Sequence, residues 1–194
     1  MPLTIANSGE RIYIDTNVLV YFFYTKQRKD FSDKAKLFLG KVETSKFEGV
    51  ISSITLMELI KCLRELLVKF GKIYDLNRVD EIICQQIKVL YSIDNIRFAE
   101  GRPPEYDPTT EVENLYYYAV SNESLKLIQS CKGKVYPDYN TGVAEHTGLH
   151  PIDIIHVVLA KQLQCDKIAT FEWNFKETAN EVTPLILQDS NSVW

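Results

Sequence analysis

The segment RIYIDTNVLVYFFY, residues 11–24, predicts the unit from which the fold is built. Its first part has the apolar content of a short strand, and its second part is a continuous apolar run. Between them stand Asp15, Thr16 and Asn17, which are all residue types that cap the start of a helix. We therefore predict a strand that ends at Asp15 and a helix over Val18–Tyr24.

The same alternation of strand and helix continues along the chain. Further strands are predicted at 49–53, 93–98, 167–170 and 184–187. Helical spacing of apolar residues predicts helices at 33–46, 55–71, 77–90, 112–131 and 150–164. Strands separated by helices imply an α/β fold with a central, largely parallel sheet of about four to five strands. We predict a single domain, 1–194, with an elaboration at about 94–148 that includes a loop-like stretch at 133–148.

The composition limits the classes of protein to consider. The chain has 194 residues, of which 45% are hydrophobic and 25% charged, as in an ordinary folded domain. Because the net charge is −4, binding of nucleic acid would depend on local basic clusters or on metal ions. The four cysteines form no C-x-x-C pair, and the chain has neither a signal-peptide core nor an apolar run of membrane length. We therefore predict a cytoplasmic protein with reduced thiols.

Four acidic residues stand near predicted strand ends or helix starts. Asp15 ends the first strand, and Glu172 follows a later one. Glu58 and Asp153 lie near the starts of helices, and Glu58 matches a capping box with Thr55. Taken singly, each acid has a structural explanation, which is a helix cap, a capping box, a favourable helix dipole or a solvated loop.

Taken together, the positions of these acids predict a shared site. In a parallel sheet, strand ends and the helix starts that follow them meet at one edge, where α/β proteins place their sites. Several carboxylates at one place repel one another and raise one another's pKa values unless a cation offsets their charge. Oxygen ligands without a set of Cys or His favour Mg²⁺ or Mn²⁺. The acids therefore predict a divalent-metal site.

Four motifs in this order resemble the PIN-domain (PilT N-terminus-like) family of nucleases. They are IDTNVLV (14–20), SSITLMEL (52–59), DIIHVVLA (153–160) and IATFEWNF (168–175). The resemblance implies a three-layer α/β/α fold. It also implies the members of the site, which are a catalytic and metal-binding quartet of Asp15, Glu58, Asp153 and Glu172, with Asn17, Thr170 and Asn174 in support.

The activity that this resemblance implies is hydrolysis of RNA phosphodiester bonds by an Mg²⁺- or Mn²⁺-dependent endoribonuclease. Many small PIN proteins are toxins that an antitoxin protein holds inactive, and others process RNA, so both roles stay open. The resemblance also implies a homodimer. The chain departs from the family pattern in two places: Glu172 stands where Asp is usual, and the segment at 94–148 is longer than in a minimal PIN domain.

Two other classes of protein compete with this interpretation. One is a PIN fold without activity that serves as an RNA- or protein-binding scaffold, and metal-dependent cleavage would separate it from an enzyme. The other is a phosphatase of the haloacid dehalogenase type, which also uses an Asp after its first strand. That chemistry needs a second Asp two residues later, and Asn17 stands at that position.

Candidates for contact with RNA lie outside the acidic set. They are Lys26, Arg28, Arg97, Arg102 and His156. The four basic residues fit a solvated charged surface equally well. His156 lies one helical turn after Asp153, where contact with Asp153 or a phosphate competes with a partly buried position on the helix.

Overall fold

A computed structural model describes residues 9–24, 28–44, 46–99 and 151–188, together with the backbone of 135–137 and 144–146. Its strands are β1 (Arg11–Ile14), β2 (Glu48–Ile51), β3 (Ile96–Phe98), β4 (Val135–Pro137), β5 (Ala144–His146), β6 (Lys167–Thr170) and β7 (Thr183–Ile186). The helices in these ranges are α1 (Thr16–Phe23), α2 (Lys29–Glu43), α3 (Ser53–Lys69), α4 (Leu76–Ser92) and α5 (Pro151–Gln162), with a 3₁₀ helix at Trp173–Thr178. None of these helices combines the length and the apolar content needed to cross a membrane.

The centre of the fold is a five-stranded sheet in the order β3-β2-β1-β6-β7. Every neighbouring pair is parallel. The chain runs outward from β1 through β2 to β3, and later returns to the other side of β1 with β6 and β7. The order therefore reverses between β1 and β6, and such a switch point opens a crevice beyond the carboxyl ends of the strands.

Side chains that alternate along β1 build the two sides of the core. Ile12 and Ile14 belong to a cluster with apolar residues of α1, α2, α3 and α4. Tyr13 belongs to a second cluster with Val50, Ile168 and residues of α5. Because neighbouring residues of a strand point to opposite faces, helices cover both faces of the sheet. The α/β fold class predicted from the sequence, with its three layers, is confirmed.

Some predicted boundaries are wrong. The strand predicted at 93–98 is shorter, because α4 continues to Ser92 and Ile93 caps it. The stretch 133–148, predicted to be loop-like, contains β4 and β5, which pair as antiparallel strands. Strands of three residues are too short to show an alternating pattern in the sequence. The helix predicted at 112–131 lies outside the described residues, and the single-domain organisation stays a prediction.

Helix α3 begins earlier than predicted, so the capping box between Thr55 and Glu58 is wrong. Ser52 is the N-cap residue, and its hydroxyl oxygen accepts a 3.3 Å hydrogen bond from the Thr55 backbone N–H. Serine directly after a strand is itself a favoured N-cap, which explains the shift. Glu58 consequently lies beyond the first turn of α3, where its carboxylate reaches other partners.

Candidate active site

Asp15 lies at the switch point of the sheet. Its backbone N–H donates a 3.0 Å hydrogen bond to the Ala169 carbonyl, so the pairing of β1 with β6 extends one residue beyond β1. The residue is only 3% exposed. It occupies the N-cap position of α1, but its carboxylate makes no capping hydrogen bond. Helix capping therefore does not explain why a carboxylate stands here.

Asn17 and Thr170 hold the Asp15 carboxylate, and we call this arrangement the aspartate clamp. Asn17 Nδ2 donates to Asp15 Oδ2 at 2.6 Å, and Thr170 Oγ1 donates to the same oxygen at 2.7 Å. Asn17 Nδ2 also lies 3.0 Å from Thr170 Oγ1, and Asn17 Oδ1 accepts a 3.0 Å bond from the Phe171 N–H. The clamp therefore ties the start of α1 to the end of β6 around one carboxylate.

Glu58 and Asp15 approach the same buried imidazole. Glu58 Oε2 accepts a 2.8 Å hydrogen bond from Thr16 Oγ1 and a 2.6 Å hydrogen bond from His156 Nε2. The same His156 nitrogen lies 3.8 Å from Asp15 Oδ1. The structure thus brings two of the predicted acids, one from α3 and one after β1, to the same nitrogen of a histidine from α5.

These charges change the pKa values of all three groups. Burial raises the pKa of Asp15, against the opposing effects of His156 and of the Thr170 hydrogen bond. Burial would also raise the pKa of Glu58, but the hydrogen bond and charge of His156 outweigh it, so the pKa is lowered. Burial would lower the pKa of His156, but Glu58 and Asp15 outweigh it and raise the value. Glu58 and His156 therefore stabilise each other's charged forms.

The other two predicted acids stand at the same edge of the sheet. Asp153 lies in the first turn of α5, and its charge contributes to the raised pKa of His156. Glu172 follows β6, and its backbone N–H donates to Thr170 Oγ1 at 2.9 Å. Its Oε1 accepts a 3.2 Å bond from the Asn174 N–H, which caps the 3₁₀ helix. This cap gives the Glu172 carboxylate and Asn174 a local structural role.

An oxygen-ligated divalent cation fits the chemistry of this edge. Mg²⁺ is commonly bound by one or two carboxylates, water and substrate phosphates rather than by a complete protein cage. Asp15 and Glu58 supply two neighbouring carboxylates, and a cation would offset the cost of burying the ionised form of Asp15. Among the described residues, no three His, Cys, Asp or Glu side chains gather at metal-binding spacing.

Comparison with known proteins gives similarity only to solved structures. No family model and no curated protein matches the chain. The chain is similar to VapBC2 from Rickettsia felis, solved with a DNA fragment from its promoter, at 16% identity and a TM-score of 0.46, over 89% of this chain and 96% of that one. It is also similar to VapC20 from Mycobacterium tuberculosis, a Sarcin-Ricin loop cleaving toxin, at 12% identity and a TM-score of 0.44, over 89% of this chain and 97% of that one. Function is therefore inferred below from the side chains of the site.

The basic residues predicted to contact RNA have local partners where the structure describes them. Arg28 Nη2 lies 3.1 Å from Asp30 Oδ2, and Arg97 Nη1 lies 3.5 Å from Glu48 Oε1. Both arginine side chains are exposed, at 51% and 65%. Their pairing is what a solvated charged surface predicts, and a role in RNA binding stays a prediction. Two further candidates, Lys26 and Arg102, lie outside the described residues.

His156 is fully buried, and two residues near it were not identified from the sequence. Nε2 of the buried ring contacts Glu58, and the alternative of contact between His156 and a phosphate stays a prediction. Thr16 looked like a helix-capping residue, and Tyr13 looked like an ordinary strand residue. The available signal was the Tyr13 hydroxyl, because a buried tyrosine usually finds a hydrogen-bond partner for its O–H.

Proposed function

We propose that this protein is a PIN-like, metal-dependent endoribonuclease that hydrolyses RNA phosphodiester bonds. Asp15, Glu58, Asp153 and Glu172 form its acidic site. The observation that carries the proposal is the aspartate clamp, because a buried carboxylate at the switch point is held by two side-chain donors and makes no side-chain capping hydrogen bond. The order of the four PIN-like motifs along the chain supports the same reading.

The clamp is costly for a residue with a purely structural role. Burial of an ionised carboxylate is unfavourable unless it is paired or hydrogen-bonded, and it raises the pKa of Asp15. A structural capping residue would make a side-chain capping hydrogen bond to α1, and the Asp15 side chain makes none. A side chain that is buried, aligned and kept near a second carboxylate is typical of a cation ligand.

In the proposed mechanism, Asp15 and Glu58 would hold an Mg²⁺ or Mn²⁺ ion, and Asp153 and Glu172 would complete the acidic site. When bound, the ion would stabilise negative charge on the phosphodiester and lower the pKa of the attacking water. Asn17 and Thr170 fix the rotamer of Asp15 through its Oδ2 atom. Thr16 and His156 fix Glu58 through its Oε2 atom, so that both carboxylates are aligned before substrate binds.

The proposal includes a biological setting. The protein acts in the cytoplasm as a homodimer, either as a toxin that an antitoxin protein binds or as an RNA-processing enzyme. Light scattering of the purified chain measures the dimer. Growth after induced expression tests the toxin role, since a toxin arrests growth unless its antitoxin is made with it, and an RNA-processing enzyme does not.

The second candidate is a PIN-like scaffold without nuclease activity. Two observations favour it: the Glu172 carboxylate already caps the 3₁₀ helix, and the described acids do not form a ready-made group of three ligands. A scaffold of this kind would bind RNA or protein but would not cleave RNA under any metal condition.

Cleavage of a labelled single-stranded RNA separates these two candidates. We would compare the wild type with the double variant Asp15→Asn/Asp153→Asn, each with Mg²⁺, with Mn²⁺ and with EDTA. Cleavage by the wild type alone, abolished by EDTA, is the expected result. Equal cleavage by the double variant would show a contaminating nuclease and exclude these ligands. No cleavage by either protein, with RNA binding retained, would favour the scaffold.

A further inference from the structure

A buried polar network lies directly behind Glu58. The Tyr13 hydroxyl lies 2.6 Å from Ser52 Oγ, 3.0 Å from Thr55 Oγ1 and 2.9 Å from His156 Nδ1. All four residues are completely buried, at 0% exposure. Buried polar groups are normally hydrogen-bonded, and a fully connected network of this kind fixes its members rigidly.

His156 connects this network to Glu58 through the two nitrogens of one ring. Nδ1 faces the Tyr13 hydroxyl, and Nε2 donates the 2.6 Å hydrogen bond to Glu58 Oε2. Because each nitrogen has its own partner, rotation of the ring would break both hydrogen bonds. The position of the Tyr13 hydroxyl therefore determines where Nε2 presents its N–H to Glu58.

The network also joins three of the elements that carry or precede the acids. Tyr13 is on β1, two residues before Asp15. Ser52 and Thr55 are at the start of α3, the helix that carries Glu58. His156 is on α5, so a shift of any one of these elements would displace the imidazole from Glu58.

Glu58 needs such a support more than Asp15 does. Its side chain is 28% exposed and has one more rotatable bond than an aspartate, so it loses more conformational freedom when it is fixed. Metal ligands are commonly oriented by hydrogen bonds from residues that do not touch the metal. In the described part of the chain, the Thr16 hydroxyl and His156 Nε2 are the two side-chain donors that reach Glu58 Oε2.

We propose that Tyr13 and His156 are positioning residues that hold the Glu58 carboxylate ready for a divalent cation, an inference that rests on the proposed metal-dependent function. They act through Glu58 and touch neither the cation nor the RNA. Loss of either residue therefore weakens metal binding only while Glu58 is present. If their role were purely structural, their loss would lower stability, and any effect on metal affinity would be the same with and without Glu58.

A double-mutant cycle on Mn²⁺ affinity tests this dependence. Free Mn²⁺ is measured by electron paramagnetic resonance during titration of the full chain, for the wild type, Tyr13→Phe, His156→Leu and Glu58→Gln, and for the two double variants with Glu58→Gln. Loss of a supporting hydrogen bond typically weakens metal affinity about 10–100-fold. We expect His156→Leu to reach this range, Tyr13→Phe to weaken binding several-fold, and neither to change the affinity of the Glu58→Gln protein.

Two further variants separate positioning from packing. His156→Gln keeps an N–H that can reach Glu58, so it should restore most of the affinity that His156→Leu loses. Tyr24→Phe is the matched control, because Tyr24 is also buried but its hydroxyl has no hydrogen-bond partner among the described residues. It should bind Mn²⁺ like the wild type. If circular dichroism shows that His156→Leu does not fold, the cycle of Tyr13→Phe with Glu58→Gln still tests the dependence on Glu58.

The possible results distinguish the two proposals. Equal Mn²⁺ affinity of the wild type and Tyr13→Phe would overturn the positioning role and leave the proposed metal site intact. Losses of affinity that are the same in the presence and absence of Glu58 would also overturn it. Wild type that binds no Mn²⁺ at millimolar concentration would overturn the proposed metal-dependent function, and the positioning role with it.

Discussion

The Thr170 hydroxyl donates a 2.7 Å hydrogen bond to Asp15 Oδ2 across the point where the strand order of the sheet reverses. The Thr170 hydroxyl oxygen itself accepts hydrogen bonds from the Asn17 side chain and from the Glu172 backbone N–H. One buried hydroxyl thus connects β6, the start of α1 and the residue that opens the 3₁₀ helix. This contact makes the end of β6 part of the site, although Thr170 itself carries no charge.

Removal of the Thr170 hydroxyl should weaken both the fold and the site. Thr170→Val keeps the shape of the side chain but leaves the Asn17 amide and the Glu172 N–H without their shared acceptor. We expect a loss of about 1–3 kcal/mol in the free energy of unfolding, measured in urea, because unpaired buried polar groups are costly. Thr170→Ser keeps the hydroxyl and is the control. Equal stability of the two variants would show that the hydrogen bonds contribute nothing.

A second carboxylate in the aspartate clamp should destabilise the metal-free protein. Asn17→Asp removes the donor at 2.6 Å from Asp15 and places a like charge there. The loss should be at least about 1 kcal/mol at pH 8 and smaller at pH 5, where protonation relieves the repulsion. Thermal unfolding in EDTA measures it, and added Mn²⁺ should recover part of the loss. A variant as stable as the wild type at pH 8 would contradict this account of the clamp.

Substitution of Glu172 tests whether this residue acts on the cation or only caps the 3₁₀ helix. Glu172→Gln keeps an oxygen that can accept from the Asn174 N–H but removes the negative charge. If Glu172 acts on the cation, cleavage should fall about tenfold or more, which corresponds to about 1.4 kcal/mol, while stability changes by no more than about 0.5 kcal/mol. Glu177→Gln, an exposed site on the same 3₁₀ helix, is the control. Unchanged cleavage by Glu172→Gln would show that the Glu172 charge has no role at the cation and that the residue serves only as a helix cap.

The fold class and the place of Asp15 could be predicted because local signals determine them. The segment 11–24 contains a strand, a run of capping residues and a helix, and the structure has these elements in that order. Glu58 is predicted as a member of the acidic site, but its predicted capping box is wrong because Ser52 is the N-cap of α3. A capping residue is chosen among neighbours in the chain, and Ser52 and Thr55 compete for the role with similar propensity.

The partners of His156 could not be predicted from the sequence. The residue contacts Tyr13 and Glu58, which lie 143 and 98 positions away in the chain. Helical periodicity indicates which face of α5 is apolar, but it does not indicate which polar group of another element will stand opposite. For the same reason the exposed Arg97 is predicted as an RNA contact, while its ion pair with Glu48 is visible only in the fold.

The ion pair of Glu58 and His156 should give the metal-free protein a characteristic pH dependence. The pKa of Glu58 is lowered from 4.5, so its contribution to stability is present above that value and is lost as the pH falls. The pKa of His156 is raised from 6.5, so its contribution is present below that value and is lost as the pH rises through the folded-state pKa. The pair therefore stabilises most between about pH 4.5 and pH 6.5.

Urea unfolding in EDTA, for the wild type and Glu58→Gln from pH 5 to pH 9, measures this contribution. The difference in the free energy of unfolding between the two proteins should be largest near pH 5–6 and should shrink as the pH rises. Comparison with Glu58→Gln at each pH removes the contributions of other titrating groups that the two proteins share. A difference that stays constant over this range would show that Glu58 and His156 do not form a charged pair.

Single-turnover cleavage of one labelled RNA by Asp15→Asn in Mn²⁺ is the most direct test of whether Asp15 holds the catalytic cation. The control is Asp80→Asn, the same change at an exposed residue whose partner is Arg64. If Asp15 holds the catalytic cation, its variant should cleave at least about 100-fold more slowly than the wild type while staying folded, because a metal ligand supports several kcal/mol of transition-state stabilisation. Asp80→Asn should cleave like the wild type. Cleavage by a folded Asp15→Asn protein at the wild-type rate would contradict the account.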